Sequence, residues 1–411
     1  DRMYYDVRSH VGLVLNAEML TPVPNYQGLL RLRARVLQQL SREQFLVQDG
    51  FITSSRLGVP GYRLQVGTAT FEDRQTPVTD PATGLPRLDP QTGEPLIEHD
   101  RLATADSNVL WIDDLPVFFW PHIATDLTEP SFYIRRVRLK NDSVFGTQVL
   151  TNWDMYQLLG LTRKPSGSDW DLSVDYLSQR GLGHGTSFTY SSPALLDLGG
   201  ATSGLIDYWG IRDYGFDNLG LDRRRLSPEA DYRHRLLVQH RQELPENLQL
   251  SVEVGWLSDR NFLEEYFKRE WNELKDQTTG IELKRIRDNT SWSATADYDL
   301  NRFFSQTDWL PRLDHFWLGQ PLLGAALTWY EHTSLGYARF HRATRPRDPA
   351  DQVNFAYLPW ESTAAGERLL TRHEIDWPLQ LGPVKVVPYA LGEAARWGED
   401  IAGEPVNRLY W

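Results

Sequence analysis

The sequence predicts an all-β protein, and three observations support that fold class. Apolar and polar residues alternate with a period of two in segments spread along most of the chain. Stretches rich in Pro, Gly, Asp and Thr separate these segments, as turns and loops do. The nearest approach to a membrane helix, the apolar run PLLGAALTWY, is far shorter than the roughly 18 residues such a helix needs.

The N-terminal part, residues 1–135, is predicted to form a first domain of short strands. In GLLRLRARVLQQL the apolar residues Leu30, Leu32, Ala34 and Val36 alternate with three arginines. The composition also suits a helix, but the strict alternation favours a strand. Further strands are predicted at FLVQDGFITSS, YRLQVGTATFE and NVLWIDDLPVFFW, and residues 74–100, rich in Pro, Asp, Thr and Gly, are predicted to form an exposed loop.

The second part, residues 136–411, is predicted to contain longer strands with one apolar and one polar face. Alternation is clearest around residues 248–256 and 292–300. Such a pattern fits both a soluble sandwich and a membrane barrel, but strands of about ten residues, long polar connections and aromatic residues near strand ends favour the barrel. Five tryptophans lie at or beside such ends, where an interfacial girdle would place them: Trp256, Trp292, Trp329, Trp377 and Trp397.

The length of this second part accommodates about eleven to thirteen strands with their connections. The chain begins without Met, as DRMYYDVRSH, and ends in the strand-like VNRLYW. We therefore expect it to be a segment of a longer protein, with part of the barrel beyond its C-terminal end.

Composition argues against several function classes. The net charge is −12 and no Lys/Arg-rich block is present, so a nucleic-acid-binding surface is not predicted. The chain contains no cysteine, which excludes disulfides, thiolate metal sites and a cysteine nucleophile. With 41% hydrophobic residues, the chain can still supply a core.

The sequence predicts no catalytic, metal or cofactor site. His234 and His240 lie six residues apart without an evident third ligand, so a structural role is favoured over zinc binding. The glycines of GLGHGTSF lack the spacing of a phosphate-binding loop, and no G-x-S-x-G motif occurs. Glu264 and Glu265 are adjacent and diverge in a strand or a helix, so this pair cannot flank one scissile bond.

The segment LSVEVGWLSDRNFLEEYFKREW combines a strand with a cluster of acids. Its first half predicts a strand whose face Leu250, Val252, Val254 and Trp256 meets lipid. The second half predicts a solvated, cation-binding rim, in which Lys268 and Arg269 balance the carboxylates.

Several passages, in chain order, resemble the family of lipopolysaccharide-assembly outer-membrane proteins (LptD, or organic solvent tolerance protein). MYYDVRSHVGLVLNAEM with DGFITSSRLGVPGYRLQV and NVLWIDDLPVFFWPHI resembles the family's periplasmic domain. VDYLSQRGLGHGTSFTY is similar to its early barrel, and LSDRNFLEEYFKREW to a segment in mid-barrel. The resemblance spans residues 3 to 270, approximately.

The resemblance implies a protein without enzymatic activity that inserts lipopolysaccharide into the outer leaflet of the outer membrane. It implies a periplasmic, folded-over, jellyroll-like β domain followed by part of an antiparallel barrel that opens laterally. Expected partners are lipopolysaccharide, a periplasmic bridge protein, an outer-membrane lipoprotein plug and the barrel-assembly machinery. The residues expected to line an acyl-chain groove are Leu30, Leu32, Val36, Leu64 and Val66; as an alternative, each of them fills the domain core.

Two departures from the family pattern limit what the resemblance implies. Ser55 occupies the position at which the family commonly has cysteine, so disulfides cannot fix the orientation of the domains. The barrel segment is shorter than the family's, so no gate residues are assigned. Two other hypotheses remain open, a porin-like outer-membrane channel and a soluble all-β protein that binds or cleaves carbohydrate.

Overall fold

In the computed structural model, the described residues are 2–22, 29–55, 60–79, 85–88, 93–112, 114–126, 133–161, 164–192, 200–273, 277–400 and 402–411. The protein is 65% strand and 6% helix, which confirms the all-β prediction. The chain divides into two compact units, unit 1 with residues 1–135 and 153–164, and unit 2 with residues 136–152 and 165–411. Among the described residues, helices are all too short or too polar to cross a bilayer.

Unit 1 contains a seven-stranded antiparallel sheet whose strands follow one another in chain order. The strands are β1 (Arg2–Asp6), β2 (Val11–Pro22), β3 (Leu29–Gln39), β4 (Gln44–Thr53), β5 (Tyr62–Pro77), β6 (Ile97–Ile112) and β7 (Leu115–Asp126). The arginine-rich segment is thus a strand, as predicted, because every second residue can turn to the same face.

Two boundaries predicted for this sheet were wrong. The expected loop at 74–100 is shorter, because β5 and β6 pair from Tyr62↔Ile112 as far as Pro77↔Ile97. The segment NVLWIDDLPVFFW is divided between β6 and β7, whose pair Ile112↔Leu115 closes a tight hairpin. In the first case strand pairing extends into a segment that composition had assigned to a loop. In the second case a turn divides a segment that composition had assigned to one strand.

Left-handed backbone conformations lie at one level across this sheet. Asn16, Asp49 and Ser107 have φ angles of 52°, 48° and 57° and lie on the alternate strands β2, β4 and β6. The register places Arg35 between Asn16 and Asp49, and Gly67 between Asp49 and Ser107. Residues with this backbone cannot continue a regular strand, so the pairing ladder is interrupted along one line.

Unit 2 is built on a fourteen-stranded antiparallel sheet. Two strands, β8 (Ile134–Asp142) and β9 (Gly146–Asp154), belong partly to unit 1. The others are β10 (Ser168–Leu177), β11 (Gly181–Ser192), β12 (Thr202–Arg212), β15 (Tyr232–Leu244), β16 (Leu248–Leu257), β17 (Gly280–Arg287), β18 (Thr290–Asp297), β19 (Gln306–Leu322), β20 (Leu327–His341), β21 (Ala365–Asp376), β24 (Tyr389–Trp397) and β25 (Val406–Tyr410).

Short elements lie in the connections between these strands. They are the hairpin strands β13 (Asp217–Asn218), β14 (Arg224–Leu226), β22 (Leu379–Leu381) and β23 (Val384–Val386), and the helices α1 (Met155–Leu158), α2 (Phe262–Tyr266), α3 (Lys268–Asn272) and α4 (Pro349–Gln352). Thirteen strands of the large sheet begin after residue 140, within the predicted number. In the described part of the chain its outer strands, β8 and β25, are not paired with each other.

The two ends of the fourteen-stranded sheet differ in their connections. One end, called the loop end below, carries the long connections 213–231, 258–279 and 342–364. The opposite, short-turn end carries the tight connections 245–247, 288–289 and 323–326, together with the longer connections 155–167, 193–201 and 377–388. The loop end also has two tight connections, 143–145 and 178–180. The buried apolar cluster of this unit, Leu257, Phe262 and Leu263, lies at the loop end, where α2 packs.

Candidate functional surfaces

A row of apolar residues crosses six strands of the unit 1 sheet. Leu32 pairs with Met19 on one side and Ile52 on the other, and Leu64 pairs with Ile52 and Leu110. Directly opposed residues share one face of a sheet, so the row is continuous. Its members are Met19, Leu32, Ile52, Leu64, Leu110 and Phe118. All of them are at least partly exposed, which leaves the row open to an apolar ligand.

The predicted groove residues fall into two classes. Leu32 and Leu64 belong to the open row, whereas Val36 and Val66 are buried. Val66 is 2% exposed and packs beside Gly50, where an added Cβ would lie 3.6 Å from a Val66 methyl group. Leu30 lies on β3, but its side chain is outside the described residues. Leu32 and Leu64 are therefore accessible from the surface, whereas Val36 and Val66 are buried.

The fourteen-stranded sheet has an apolar face that is partly exposed. One row of opposed residues across β16 to β21 consists of Leu250, Leu283, Ala294, Leu313, Leu335 and Leu369. The adjacent row, on the opposite face, consists of Ser251, Glu282, Thr295, Arg312, Gly336 and Arg368. Leu313, Leu335 and Leu369 are 45%, 48% and 40% exposed. We call the leucine-bearing side the apolar face.

The five predicted tryptophans all lie within three residues of a strand end. Trp256 and Trp397 are at the loop end, on β16 and β24, whereas Trp292 on β18, Trp329 on β20 and Trp377 directly after β21 are at the short-turn end. Trp329 stacks with His373 and contacts Trp317 edge-on. Aromatic residues thus lie at both ends of the sheet, but Trp397 pairs with Arg368 and is on the polar face, unlike Trp256, Trp292 and Trp329 on the apolar face.

The predicted solvated rim after Trp256 was wrong, because its acids are buried among arginines. Asp259, Glu264 and Glu265 lie in the connection that carries α2, and all three are buried. Lys268 and Arg269 are exposed and do not balance them; Arg269 pairs with Glu273 instead. Arginines from distant parts of the chain take that role, and we call this group the charge cluster.

Arg233, at the start of β15, is the centre of the charge cluster. Its side chain is fully buried and donates to both oxygens of Asp259 at 2.9 Å. It also donates to Asp217 at 2.5 Å and to Asp213 at 3.0 Å. One guanidinium therefore joins the connection 213–231 to the connection 258–279.

Arg180, in the turn between β10 and β11, is the second buried cation. It is 1% exposed, donates to Asp213 at 3.1 Å and forms a close ion pair with Glu265. Glu265 also accepts the backbone N–H of Asn218 at 3.0 Å, and the hydroxyl of Tyr266 donates to Asp213 at 2.7 Å. These charge-assisted bonds satisfy groups whose burial would otherwise be costly.

A second ionic group extends the cluster to the connection 342–364. Arg223 donates to Glu264 at 2.5 Å and to Asp351 at 3.3 Å. Glu264 also accepts the backbone N–H of Gly220 at 2.9 Å. Side chains from all three long connections are therefore tied together at the loop end.

Carboxylates outnumber cations in the centre of the cluster. Arg180 and Arg233 face Asp213, Asp217, Asp259 and Glu265, all of them buried. Burial raises the pKa of Asp217 to about 6, although Arg233 opposes the shift, and burial also raises the pKa of Glu265. At Asp213 burial is outweighed by bonds from Tyr266 and Gly215 and by both arginines, so its pKa is lowered. The cluster therefore retains a proton most readily at Asp217.

Trp209 connects the sheet to α2 through its indole ring, which lies 5.1 Å from the ring of Tyr266. A Cβ added at Gly183 or Gly185 would lie 2.7 Å or 2.9 Å from that indole. The glycines of GLGHGTSF thus leave room for Trp209, a packing role that the sequence did not reveal.

The charge cluster acts as a clamp between the long connections of the loop end. In the described part of the chain, groups of three metal-ligating side chains are absent, and His240 is hydrogen-bonded to the Tyr190 hydroxyl at 2.6 Å. The carboxylates of the cluster are held by guanidinium groups. What they do is hold long connections together over one end of the sheet.

Sequence reasoning missed Arg180, Arg223 and Arg233 as the partners of these acids. In the sequence, Arg233 and Arg235 of YRHRLLV follow the acids of residues 213–217. This proximity is only a weak signal that the two groups form ion pairs. Up to 128 residues separate the partners, as in Arg223 and Asp351, and one sequence gives no pairing over such distances. Comparisons with known protein families and with curated proteins returned no match for this chain.

Proposed function

We propose that this chain is part of an outer-membrane protein that transports and inserts lipopolysaccharide. The observation that carries the proposal is the exposed apolar face of the fourteen-stranded sheet, opposite a face of charged and hydroxyl side chains. A soluble sandwich would cover its apolar face with a second sheet. A membrane barrel leaves that face to lipid and turns the polar face toward its lumen.

The connections of the sheet support an orientation in the membrane. Outer-membrane barrels have long extracellular loops and short periplasmic turns. The loop end with its charge cluster would then face outward, and the short-turn end would face the periplasm. Trp256 at the loop end and Trp292, Trp329 and Trp377 at the short-turn end fit two interfacial girdles, whereas Trp397 would face the lumen. Closure of the sheet into a laterally opening barrel belongs to this proposal.

Unit 1 supports the lipid-transfer part of the proposal. Its open row offers continuous apolar contact across six strands, and an acyl chain gains about 0.8 kcal/mol for each CH₂ that it buries. The jellyroll-like shape, the bridge protein, the lipoprotein plug and the assembly machinery are proposed from the resemblance alone. No nucleotide-binding motif is present in the sequence, so the energy for transport would come from other proteins.

Photocrosslinking in cells tests the lipid route with matched pairs of positions. A photoreactive residue replaces Leu32 or Leu64 in the open row, and, as controls, the exposed neighbours Arg33 or Gln65 on the other face. We expect capture of lipopolysaccharide at Leu32 and Leu64 only. Equal capture at the control positions would contradict the groove.

The charged polar face favours a second candidate, a porin-like channel. A lumen bearing Glu282, Arg312 and Arg368 could pass small solutes without any role for unit 1. Conductance of the purified protein in lipid bilayers, together with absence of crosslinks to lipopolysaccharide, would favour the channel. A chain that stays folded and monomeric without detergent would exclude both membrane functions and favour the soluble carbohydrate protein.

A further inference from the structure

The connection between β21 and β24 folds into a small hairpin at the short-turn end of the sheet. Strands β22 and β23 pair through Leu379↔Val386, Gln380↔Lys385 and Leu381↔Val384. Gly382 makes the turn with a φ of 62°, a conformation that favours glycine. An added Cβ at this glycine would meet no atom within 4 Å, so the tip projects into open space.

The hairpin is amphipathic. Opposed and alternate residues share a face, so one face carries Leu379, Leu381, Val384 and Val386, and the other carries Gln380 and Lys385. On the apolar side Leu381 is 62% and Val384 56% exposed. A two-stranded hairpin in water is only marginally stable, so an apolar side of this kind needs a cover.

The apolar side of the hairpin lies on the same side as the apolar face of the large sheet, with the polar pairs Thr333↔Thr371 and Glu331↔His373 between them. Ile375 pairs with Trp329 on that face, and Trp377 and Leu379 follow at the next alternate positions. The backbone N–H of Trp377 bonds to the carbonyl of Pro388 at 2.8 Å, which extends the ladder toward the hairpin. Trp377 and Tyr389, both exposed, flank the hairpin at its base.

We propose that the hairpin 379–386 is a membrane-surface anchor. Its aliphatic side enters the interfacial layer of the lipid leaflet at the short-turn end, while Gln380 and Lys385 stay in water. Trp377, on the apolar side, is a residue type that favours this layer, and a lysine on the water side attracts anionic lipid headgroups. Tyr389 pairs with Asp376 and lies on the water side with Lys385. The inference rests on the proposed membrane location of the large sheet and adds a second lipid contact to it.

Single-cysteine labelling tests the anchor cleanly, because the chain has no cysteine of its own. An environment-sensitive fluorophore is attached at Leu381→Cys or Val384→Cys, with Gln380→Cys and Lys385→Cys as matched controls on the same hairpin. The full chain is folded into vesicles of phosphatidylethanolamine and phosphatidylglycerol. We expect a blue shift, and loss of emission with a shallow spin-labelled lipid, at Leu381 and Val384 but not at the controls.

A label at Leu335→Cys, on the apolar face of the sheet, tests the membrane location of the sheet separately from the hairpin anchor. If a deep spin-labelled lipid quenches this label but the labels at Leu381 and Val384 behave like the controls, the anchor is refuted and the membrane location stands. The hairpin would then need a protein partner. If the label at Leu335 is not quenched either, the proposed function fails together with the anchor.

Discussion

The strand body and the loop end of unit 2 distribute polarity in opposite ways. Along the strands, leucines such as Leu335 and Leu369 are exposed, whereas at the loop end Arg233 is fully buried with its carboxylates. In a protein surrounded only by water, apolar residues would be covered first, and charges would stay outside. Under the proposed function the strands meet lipid, while the loop end is held together by ionic bonds.

Removal of the Arg233 side chain should have the largest effect, and it should destabilise the loop end and leave the strands intact. In Arg233→Ala three buried carboxylates lose their main cation, and breaking a buried pair in this way costs about 3–5 kcal/mol. We expect fast amide hydrogen exchange in residues 258–273, with little change in the strand amides.

The matched control for Arg233→Ala is Arg241→Ala on the same strand, where the side chain is 62% exposed and pairs only with neighbouring residues such as Glu243. That variant should change exchange little. Equal exchange rates in the two variants would show that the ionic cluster does not hold the loop end together.

Adjacent leucines on β21 test the strand body. Leu369 lies on the apolar face and Leu370 on the polar face, where it pairs with Ser334. Arginine on the lipid face of a barrel costs about 2–4 kcal/mol near mid-bilayer. We therefore expect Leu369→Arg to lower the free energy of unfolding in vesicles far more than Leu370→Arg. In a water-soluble protein the order would reverse, because Leu370 is the less exposed of the two.

Unit 1 allows the same distinction between open and covered apolar residues. Val66→Ala removes two buried carbons beside Gly50 and should lower the free energy of unfolding by about 2 kcal/mol. Leu32→Ala, in the open row, should cost less stability but reduce lipopolysaccharide crosslinking from a probe at Leu64. If Leu32→Ala destabilises more than Val66→Ala in urea unfolding, the row is core and not a groove.

The smallest expected effect is the pH dependence of the loop end. The pKa of Asp217 is raised to about 6 in the folded state, so protonation favours the closed cluster and stability falls as pH rises toward 6. The lowered pKa of Asp213 has the opposite effect at low pH: stability falls as the pH decreases and this carboxylate becomes protonated. Exchange of the 258–273 amides, corrected for intrinsic rates, should therefore rise between about pH 4 and pH 6 by at most about tenfold per pH unit, and level off above pH 6.

Asp217→Asn should flatten this rise, since the amide needs no proton. The groups that face Asp217 are Arg180, Arg233, Asp213, Asp259 and Glu265, and all of them stay in place in the variant. Glu273→Gln, in the connection 258–279 whose amides are measured, is exposed and paired with Arg269; it is the control and should keep the pH dependence of the natural chain. A persistent rise in Asp217→Asn would assign the proton to another group.

The sequence predicted the strands well where alternation was strict. Residues 29–39 and 248–257 became β3 and β16, because a period of two is compatible with one backbone conformation only. The tryptophans near strand ends were also visible without a structure. Pro77 and Ile97 were assigned to a loop because proline and aspartate clusters are poor strand formers, yet a long hairpin tolerated them at its tip.

The charge cluster could not be predicted because its members are distant in the chain. Asp259, Glu264 and Glu265 looked like surface acids, since isolated carboxylates avoid burial. Only the folded arrangement places Arg180, Arg223 and Arg233 within bonding distance of them. The row of left-handed residues at Asn16, Asp49 and Ser107 was equally invisible, because its alignment depends on register and not on local composition.

The order of strands in the large sheet has a consequence for how the protein is assembled. Each strand pairs with strands next to it in the chain, apart from two small inserted hairpins, so contacts are local and one hairpin can be added after another. The bond between Arg223 and Asp351 spans 128 residues and can form only after β20 has been added. This bond therefore joins parts of the sheet that are far apart in the chain, and protection of the loop-end amides would report on whether the sheet has assembled through β20.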